Sequence, residues 1–220
     1  MTNEPTAFLY PFIEAEERDA DRLLAELEAS ARAKADWSFE LRRASLAACA
    51  EGLRLAGRAM AERFRAGGRL LAFGNGGSAT DAESAVELFL HPPSGAPLPA
   101  LSLVEDRAIL TALANDVGYE LVFSRQLIAY GRPQDIALGL STSGGSANVL
   151  AAFAEAARRG MLAVGLSGSG GGAMATSEHV AHCLVVSCDS VHRIQETEDA
   201  LVLALWRKVQ ESLGEGGSDR

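Results

Sequence analysis

The sequence predicts an α/β protein with a doubly wound, five-stranded parallel sheet and an N-terminal helical extension. Three observations support this fold class. The first third of the chain has the composition and spacing of helices, short apolar runs then alternate with helical stretches, and two of those runs end in loops rich in Gly and Ser. Strands separated by helices form a parallel sheet through right-handed crossovers, and ligands bind at the carboxyl ends of its strands.

The first third is predicted to form two helices. Residues 13–34 are rich in Ala, Leu, Glu and Arg, which favour helix. A break is expected at residues 36–38, with Ser38 as the N-cap of a second helix that runs to about Arg65 and ends at Gly67–Gly68. The apolar sides of these helices need a surface to pack against, which favours an oligomer.

The rest of the chain is predicted to alternate between strands and helices. The apolar runs predict strands over residues 69–73, 97–104, 135–140, 161–166 and 180–186. The intervening patterns predict helices over 79–90, 105–114, 118–130, 147–159 and 194–213. We therefore expect three segments, namely a helical arm (1–66), a sheet domain (67–213) and a disordered tail rich in Gly, Ser and charge (214–220).

The overall charge and the cysteine content exclude several classes of protein. The formal net charge is −9 and no basic stripe is present, which argues against direct binding of nucleic acid. Any bound phosphate must then be held by local hydroxyls and backbone dipoles.

The three cysteines are too few for a disulfide scaffold. Neither a membrane-length apolar run nor a signal-peptide pattern occurs in the sequence, so we expect a cytoplasmic protein.

Two glycine-rich loops follow predicted strands. Gly74-Asn75-Gly76-Gly77-Ser78 lies between the first strand and its helix, where glycine allows a sharp turn and a close approach to a ligand. It lacks the Lys of a phosphate-binding Walker loop and does not fit the dinucleotide-binding spacing, so a structural turn and a ligand loop both fit it. We interpret another run, Ser167–Gly172, as a flexible surface loop.

The loop after the third strand is richer in hydroxyl groups. Ser141, Thr142 and Ser143 are followed by two glycines, by Ser146 and by a predicted helix. One serine would suffice to cap that helix, whereas four hydroxyls exceed what capping needs. Hydroxyls and helix N–H groups together can surround a phosphate without a cation, so this loop predicts an anion site.

These motifs, in this order, resemble those of the phosphoheptose isomerases, which are sugar-isomerase (SIS) domain enzymes acting on sedoheptulose 7-phosphate. The resemblance covers roughly residues 64–209 and rests on the segments GNGGS, AND at 114–116, STSGGSANV at 141–149 and RIQE at 193–196. It implies a three-layer, flavodoxin-like SIS fold and a homotetramer whose sites form between subunits. It also implies that the ligand is a phosphorylated sugar, held by Asn75, Gly76, Gly77, Ser78, Asp116, Ser141, Thr142, Ser143, Ser146 and Gln195.

The resemblance does not extend to the catalytic groups of the family. The family has a His and a Glu four residues apart after the first loop, and those positions hold Ser84 and Leu88 here. A second His, eight residues after the motif Gln, is replaced by Leu203, and an Asp before the Arg-Ile-Gln run is replaced by His192. Some members bind zinc through four of these positions, of which only Gln195 is retained. We therefore expect no metal and no other cofactor.

Charged groups near these positions are candidates for relocated catalysts. Glu83 and Glu87 lie one residue before Ser84 and Leu88, and we interpret them as a solvated helix face. Glu198 and Asp199 lie one turn after the motif Gln and are interpreted as helix-surface charge. His192 is a weak catalytic candidate because a histidine can act as acid or base near neutral pH, and Glu87 is the other.

Three functions fit the sequence. Aldose–ketose isomerisation needs both a base and an acid, so we favour a protein without the standard isomerase groups that binds a sugar phosphate as a sensor or scaffold. The alternative is an active phosphosugar isomerase that uses relocated groups such as Glu87 and His192. The third, a structural oligomer with an unused pocket, does not explain the hydroxyls of the 141–146 loop. A protein partner fits the first function, but no motif identifies one.

Overall fold

The computed structural model of the protein describes residues 20–215, and their contacts divide the chain into two compact units at Glu40 and Leu41. Helix α1 (Ala20–Ala48) supplies the described part of the first unit. Within that unit the apolar side chains of Leu24, Leu27 and Phe39 are exposed. None of the described helices is both long enough and apolar enough to cross a membrane.

The second unit is an α/β domain. Two 3₁₀ turns occur at Tyr119–Leu121 and Ser169–Gly171. Its other elements, in chain order, are α2 (Ala50–Arg65), β1 (Leu70–Gly74), α3 (Gly77–Leu90), β2 (Ala100–Ser102), α4 (Arg107–Val117), α5 (Val122–Tyr130), β3 (Ile136–Ser141), α6 (Ala147–Arg158), β4 (Leu162–Ser167), α7 (Gly172–Ala175), β5 (His182–Val185) and α8 (Val191–Glu215).

The five strands form one sheet in the order β2-β1-β3-β4-β5, and every neighbouring pair is parallel. The register pairs Ala72 with Leu138 and Leu138 with Val164. The predicted fold class is therefore confirmed. The direction of winding reverses between β1 and β3, where the loops that follow two adjacent strands diverge and leave a crevice.

Successive residues of the strands supply two apolar cores, one on each face of the sheet. Leu70 and Ala72 face a core formed with α2, α3 and α8, whereas Leu71 and Phe73 face the opposite core. On that second face the Phe73 ring lies 5.4 Å from Phe123 on α5 and 5.5 Å, centroid to centroid, from a phenylalanine of α6. The sheet is thus buried between two helical layers, as the near-continuous apolar runs predict.

The predicted helix break at residues 36–38 is wrong. Helix α1 continues through Ser38 to Ala48, and the interruption falls at Cys49 instead. No Gly or Pro lies at 36–38, so nothing there removes a helical hydrogen bond, and the modest helix propensity of Asp, Trp and Ser is overridden. The start of the first predicted helix, at residue 13, lies outside the described residues.

Three other predicted boundaries can be compared with the structure. Helix α2 ends at Arg65 and is followed by Gly67 with φ +76°, as its glycine pair predicts. Strand β2 spans three residues rather than the predicted eight from 97 to 104, because prolines at positions 97 and 99 have no N–H to offer a strand ladder. The first two residues of the predicted tail, 214 and 215, continue α8, and residues 216–220 lie outside the described part.

Close packing of α2 on α8 depends on Gly57. A Cβ placed there would lie 2.5 Å from Lys208 Cβ and 3.1 Å from the Lys208 carbonyl carbon. A Cβ at Gly52, one and a half turns earlier, would meet only the end of the Leu184 side chain, at 2.9 Å. The α2–α8 contact therefore requires glycine at position 57, whereas position 52 can accept a methyl group if one side chain shifts.

Gly57→Ala is expected to destabilise the protein, although alanine is the better helix former. The methyl group must displace the α8 main chain, at a cost of about 1–3 kcal/mol in the free energy of unfolding. Gly52→Ala is the matched control and should change that free energy by less than about 1 kcal/mol. Urea unfolding followed by circular dichroism measures both. Equal midpoints for the two variants would contradict the packing argument.

Candidate functional site

The crevice between β1 and β3 brings two helix N-termini side by side. Helix α3 begins after β1 with Gly76 as its N-cap, and α6 begins after β3 with Ser146 as its N-cap. Gly76 has no side chain with which to cap α3, and the Ser146 side chain makes no cap hydrogen bond to α6. The Ser78 and Ala79 N–H groups of α3 donate to the Asn75 and Gly76 carbonyls. What both helix ends bring to the same crevice is therefore the partial positive charge of a helix N-terminus.

Three hydroxyls converge at the start of α6. The Ser141 Oγ lies 3.0 Å from the Ser146 Oγ and 3.5 Å from the Ser143 Oγ, and the Ser143 Oγ accepts a hydrogen bond from the Gly145 N–H at 3.2 Å. Because Ser146 makes no cap bond, helix capping does not account for its hydroxyl. These serines form a compact group of donors and acceptors beside the helix N-terminus.

The glycine-rich run Ser167–Gly172, interpreted above as a flexible surface loop, is packed against this serine loop. The Gly168 N–H donates to the Thr142 carbonyl at 3.0 Å, and the Met174 N–H donates to the Gly144 carbonyl at 2.9 Å. Gly144 has φ +62°, and a Cβ on it would lie 2.0 Å from the Gly171 oxygen. The flexible-loop interpretation is therefore wrong, because the run fixes the serine loop from behind.

The first loop is held close to the start of α8. Gly76 turns the chain with φ +56°, a left-handed value that favours glycine. A Cβ on Gly77 would lie 1.9 Å from the Gln195 Nε2, so the side chain of Gln195 presses directly on this backbone. Ser78 is buried within the first turn of α3. The structure thus brings Gln195 and the first loop together, as expected for parts of one site.

A hydrogen-bonded trio joins the two loops. Asn75 and Asn148 form a reciprocal amide pair, with Nδ2 to Oδ1 distances of 2.8 and 2.9 Å, and the Tyr119 hydroxyl donates to the Asn75 Oδ1 at 2.9 Å. With Ser146 and Glu120, the trio lines a cavity of about 330 Å³. The site prediction missed Tyr119 and Asn148. Asn148 lies within the quoted serine motif, and Tyr119 lies three residues beyond Asp116, so their positions were the available signal.

Three other predicted residues, Asp116, Glu87 and His192, are exposed. Asp116 lies at the end of α4 and accepts a hydrogen bond from the Asn115 amide at 2.8 Å. Glu87 is exposed and pairs with His91, the carboxylate oxygen lying 3.1 Å from the imidazole Nδ1. His192 is exposed at the start of α8. Within residues 20–215, no hydrogen bond or ion pair links Glu87 or His192 to the serine loop.

At the three positions where the resemblance places the family's catalytic groups, this chain has Ser84, Leu88 and Leu203. Ser84 is exposed, and Leu88 and Leu203 pack at the margin of the core between α2, α3 and α8. Within the described part of the chain, no group of three or more His, Cys, Asp or Glu side chains is arranged to hold a metal ion.

Two carboxyl groups, one buried and one half-buried, lie between α3 and α8, one turn beyond Ser78 and Gln195. Glu198 is fully buried, and neither of its carboxylate oxygens has a hydrogen-bond partner among the described residues. Burial, and then the charge of Asp81, raises the pKa of Glu198 to about 8. Burial, and then the charge of Asp199, raises the pKa of Asp81 to about 7. The interpretation of Glu198 as helix-surface charge is wrong, although Asp199 is exposed.

Known proteins are similar to this chain in sequence and in fold. The family model for the SIS domain matches residues 39–168. The phosphoheptose isomerase of Roseiflexus sp. is 45% identical over 158 residues, which is 70% of this chain and 78% of that protein. The Rhodospirillum rubrum phosphoheptose isomerase is 41% identical over 75% of this chain and 88% of its own length. The structure of the phosphoheptose isomerase GmhA from Neisseria gonorrhoeae superposes with a TM-score of 0.78 at 33% identity, covering 84% of this chain and 99% of that one.

The chain therefore belongs to the SIS-domain family. Within that family it is a phosphoheptose isomerase-like protein, since the relatives above are similar over most of its length. The recognition drawn from the four motifs is confirmed. The similarity concerns the fold and the overall sequence and assigns no role to an individual side chain.

Glu198→Gln should change how stability depends on pH. Because the folded-state pKa of Glu198 is raised from 4.5 to about 8, the folded protein keeps a proton that the unfolded chain releases between these values. The free energy of unfolding of the wild type should therefore fall as pH rises from 5 to 9. Glu198→Gln should flatten this decline and be more stable than wild type at pH 9 by roughly 1–3 kcal/mol.

Urea titrations at pH 5, 7 and 9 measure this effect. Glu83→Gln removes an exposed carboxylate from α3 and is the matched control, which should follow the wild-type decline. A Glu198→Gln variant that is less stable than wild type at pH 9 would contradict the account, since it would mean that the ionised carboxylate is stabilised where it lies.

Proposed function

We propose that this protein binds a phosphorylated sugar in the crevice between β1 and β3 and acts as a sensor or scaffold, without the family's standard isomerase chemistry. The observation that carries the proposal is the convergence of the Ser141, Ser143 and Ser146 hydroxyls beside the uncapped N-terminus of α6. Hydroxyl donors and helix N–H groups recognise phosphate oxygens through several short hydrogen bonds.

The charge of the protein makes this neutral mode of recognition necessary. The chain carries a formal net charge of −9, which repels a phosphate at long range. The serine loop itself contains no Lys or Arg. Binding must therefore come from directed hydrogen bonds at short range, and the loss of one hydroxyl should weaken binding measurably.

The sugar is proposed to extend from the serine loop toward the first loop. Asn75, Ser78 and Gln195 lie on that side, and Asp116 precedes the turn that carries Tyr119. Amide and carboxylate groups of this kind hydrogen-bond sugar hydroxyls. Because the relatives are named phosphoheptose isomerases, sedoheptulose 7-phosphate is the natural first ligand to test.

The side chains at three positions support the proposed absence of isomerase chemistry. Isomerisation through an enediol needs a base to remove a carbon-bound proton and an acid to protonate the oxygen. Leu88 and Leu203 can do neither, and Ser84 is a poor base without a partner. Each lost acid or base typically costs about 10²- to 10⁴-fold in rate.

The alternative is an active phosphosugar isomerase with relocated groups. The names of the relatives favour it. Asp81 and Glu198 also favour it, because these carboxyl groups lie one turn from Ser78 and Gln195 and their pKa values are raised to about 7 and about 8. Glu87 and His192 support it less, because both are exposed and Glu87 is paired with His91. Full burial of Glu198 argues against direct contact with a substrate.

Assembly into a homo-oligomer, with the tetramer of the family as the expected form, is part of the proposal. Large apolar side chains of the 20–40 unit are exposed, including Leu24, Leu27, Trp37 and Phe39. Water-exposed apolar surface of this kind is characteristic of an interaction site.

Sedoheptulose 7-phosphate is expected to raise the melting temperature of the wild type, and Ser143→Ala should weaken its binding. Loss of one hydroxyl to a charged group costs about 1.5–3 kcal/mol, which corresponds to a roughly 10- to 150-fold higher Kd. Isothermal titration calorimetry with sedoheptulose 7-phosphate, and separately with inorganic phosphate, measures this change.

Ser94→Ala is the matched control, because Ser94 is exposed in the loop that enters β2 at the opposite edge of the sheet. Its Kd for either ligand should equal that of the wild type. If the wild type binds neither ligand, or if Ser143→Ala binds both as tightly as the wild type, the proposed phosphate site is wrong.

A further inference from the structure

We propose that Tyr119 is a positioning residue that fixes the Asn75 side chain as a hydrogen-bond donor to the sugar chain. This inference rests on the proposed binding of a phosphorylated sugar. Tyr119 thereby joins the site, and the ligand meets the Asn75 Nδ2 through an oxygen that accepts a hydrogen bond.

The hydrogen-bond trio determines how the Asn75 amide is used. The Asn75 Oδ1 accepts from the Tyr119 hydroxyl at 2.9 Å and from the Asn148 Nδ2 at 2.9 Å, so both of its lone pairs are engaged. The Asn75 Nδ2 gives one of its two hydrogens to the Asn148 Oδ1 at 2.8 Å. One N–H of the Asn75 Nδ2 is therefore left to donate to a ligand, whereas the Asn75 Oδ1 has no lone pair left to accept from one.

Each member of the trio comes from a different element. Asn75 follows β1, Asn148 is buried in the first turn of α6, and Tyr119 begins the 3₁₀ turn after α4. Asn148 is one residue from Ala147 and two from Ser146, so the amide pair is tied directly to the proposed phosphate loop. Tyr119 is half-exposed and is the member of the trio that reaches solvent most freely.

An open, shallow pocket beside the trio has room for part of a short polyol. Its volume is about 330 Å³, and it is lined by the trio together with Glu120, Ser146 and Ala147. A phosphate at the serine loop would place its attached carbon chain at the mouth of this pocket, next to Ser146. The free N–H of Asn75 therefore selects a sugar oxygen that can accept a hydrogen bond, namely a hydroxyl or carbonyl oxygen on that chain.

Tyr119→Phe tests the proposal because it removes one oxygen and keeps the ring. Without the phenol the Asn75 Oδ1 loses one of the two donors that hold it in place, so the Kd for sedoheptulose 7-phosphate should rise about 2- to 12-fold, the effect of one neutral hydrogen bond. The Kd for inorganic phosphate should change less than about twofold, since phosphate alone does not need Asn75. Tyr130→Phe is the matched control and should change neither Kd.

A double-mutant cycle with Asn75→Ala separates positioning from direct contact. If Tyr119 acts through Asn75, Tyr119→Phe should have no further effect on the Kd for sedoheptulose 7-phosphate in the Asn75→Ala background. The full effect persisting in that background would mean that Tyr119 contacts the sugar itself and would overturn the proposal.

The remaining outcomes are also decisive. An unchanged Kd for sedoheptulose 7-phosphate in Tyr119→Phe overturns the inference and leaves the proposed function standing. An equal loss for sedoheptulose 7-phosphate and inorganic phosphate means that Tyr119 supports the phosphate loop as a whole, which also overturns it. If the wild type binds neither compound, the proposed function fails, and this inference fails with it.

Discussion

The parallel pairing of β1 with β3 is the constraint on which the rest of the site depends. It places the ends of two adjacent strands at one edge of the sheet, where the chain turns into α3 on one side and α6 on the other. Both helices begin without a side-chain cap, so the partial positive charges of their N-termini lie at one crevice. This gives an acidic protein a local potential suited to an anion beside a serine loop that contains no Lys or Arg.

Glycine allows the surrounding backbones to approach this crevice closely. Gly144 is in contact with Gly171, and Gly77 is in contact with the Gln195 amide, at distances that any Cβ would prevent. The loop that carries the serine hydroxyls is consequently held on a rigid support, since the Gly168 and Met174 N–H groups behind it donate to its Thr142 and Gly144 carbonyls. A support of this kind lowers the ordering cost of binding and is expected whether the bound ligand reacts or is only sensed.

Much of the fold could be predicted from the sequence, because continuous apolar strands and glycine at strand ends are local signals. The serine loop was predicted for the same reason, and the structure brings Ser141, Ser143 and Ser146 together. Tertiary features could not be predicted in this way. Tyr119 bonds a residue 44 positions away, and Glu198 has the charge of a surface residue but lies between two helices that only the folded chain brings together. The packing of the 167–172 run was likewise invisible in its composition, which is typical of a mobile loop.

The central claim is that this site holds a sugar phosphate but does not move its carbon-bound protons. The most direct measurement is NMR of sedoheptulose 7-phosphate with the protein in deuterated water. The account predicts that the ³¹P resonance shifts or broadens on binding, while neither the ketose C-1 nor an aldose C-2 gains deuterium faster than in a protein-free sample. Deuterium at C-1, or formation of the aldose, would show that a base in this chain removes the proton and would contradict the account.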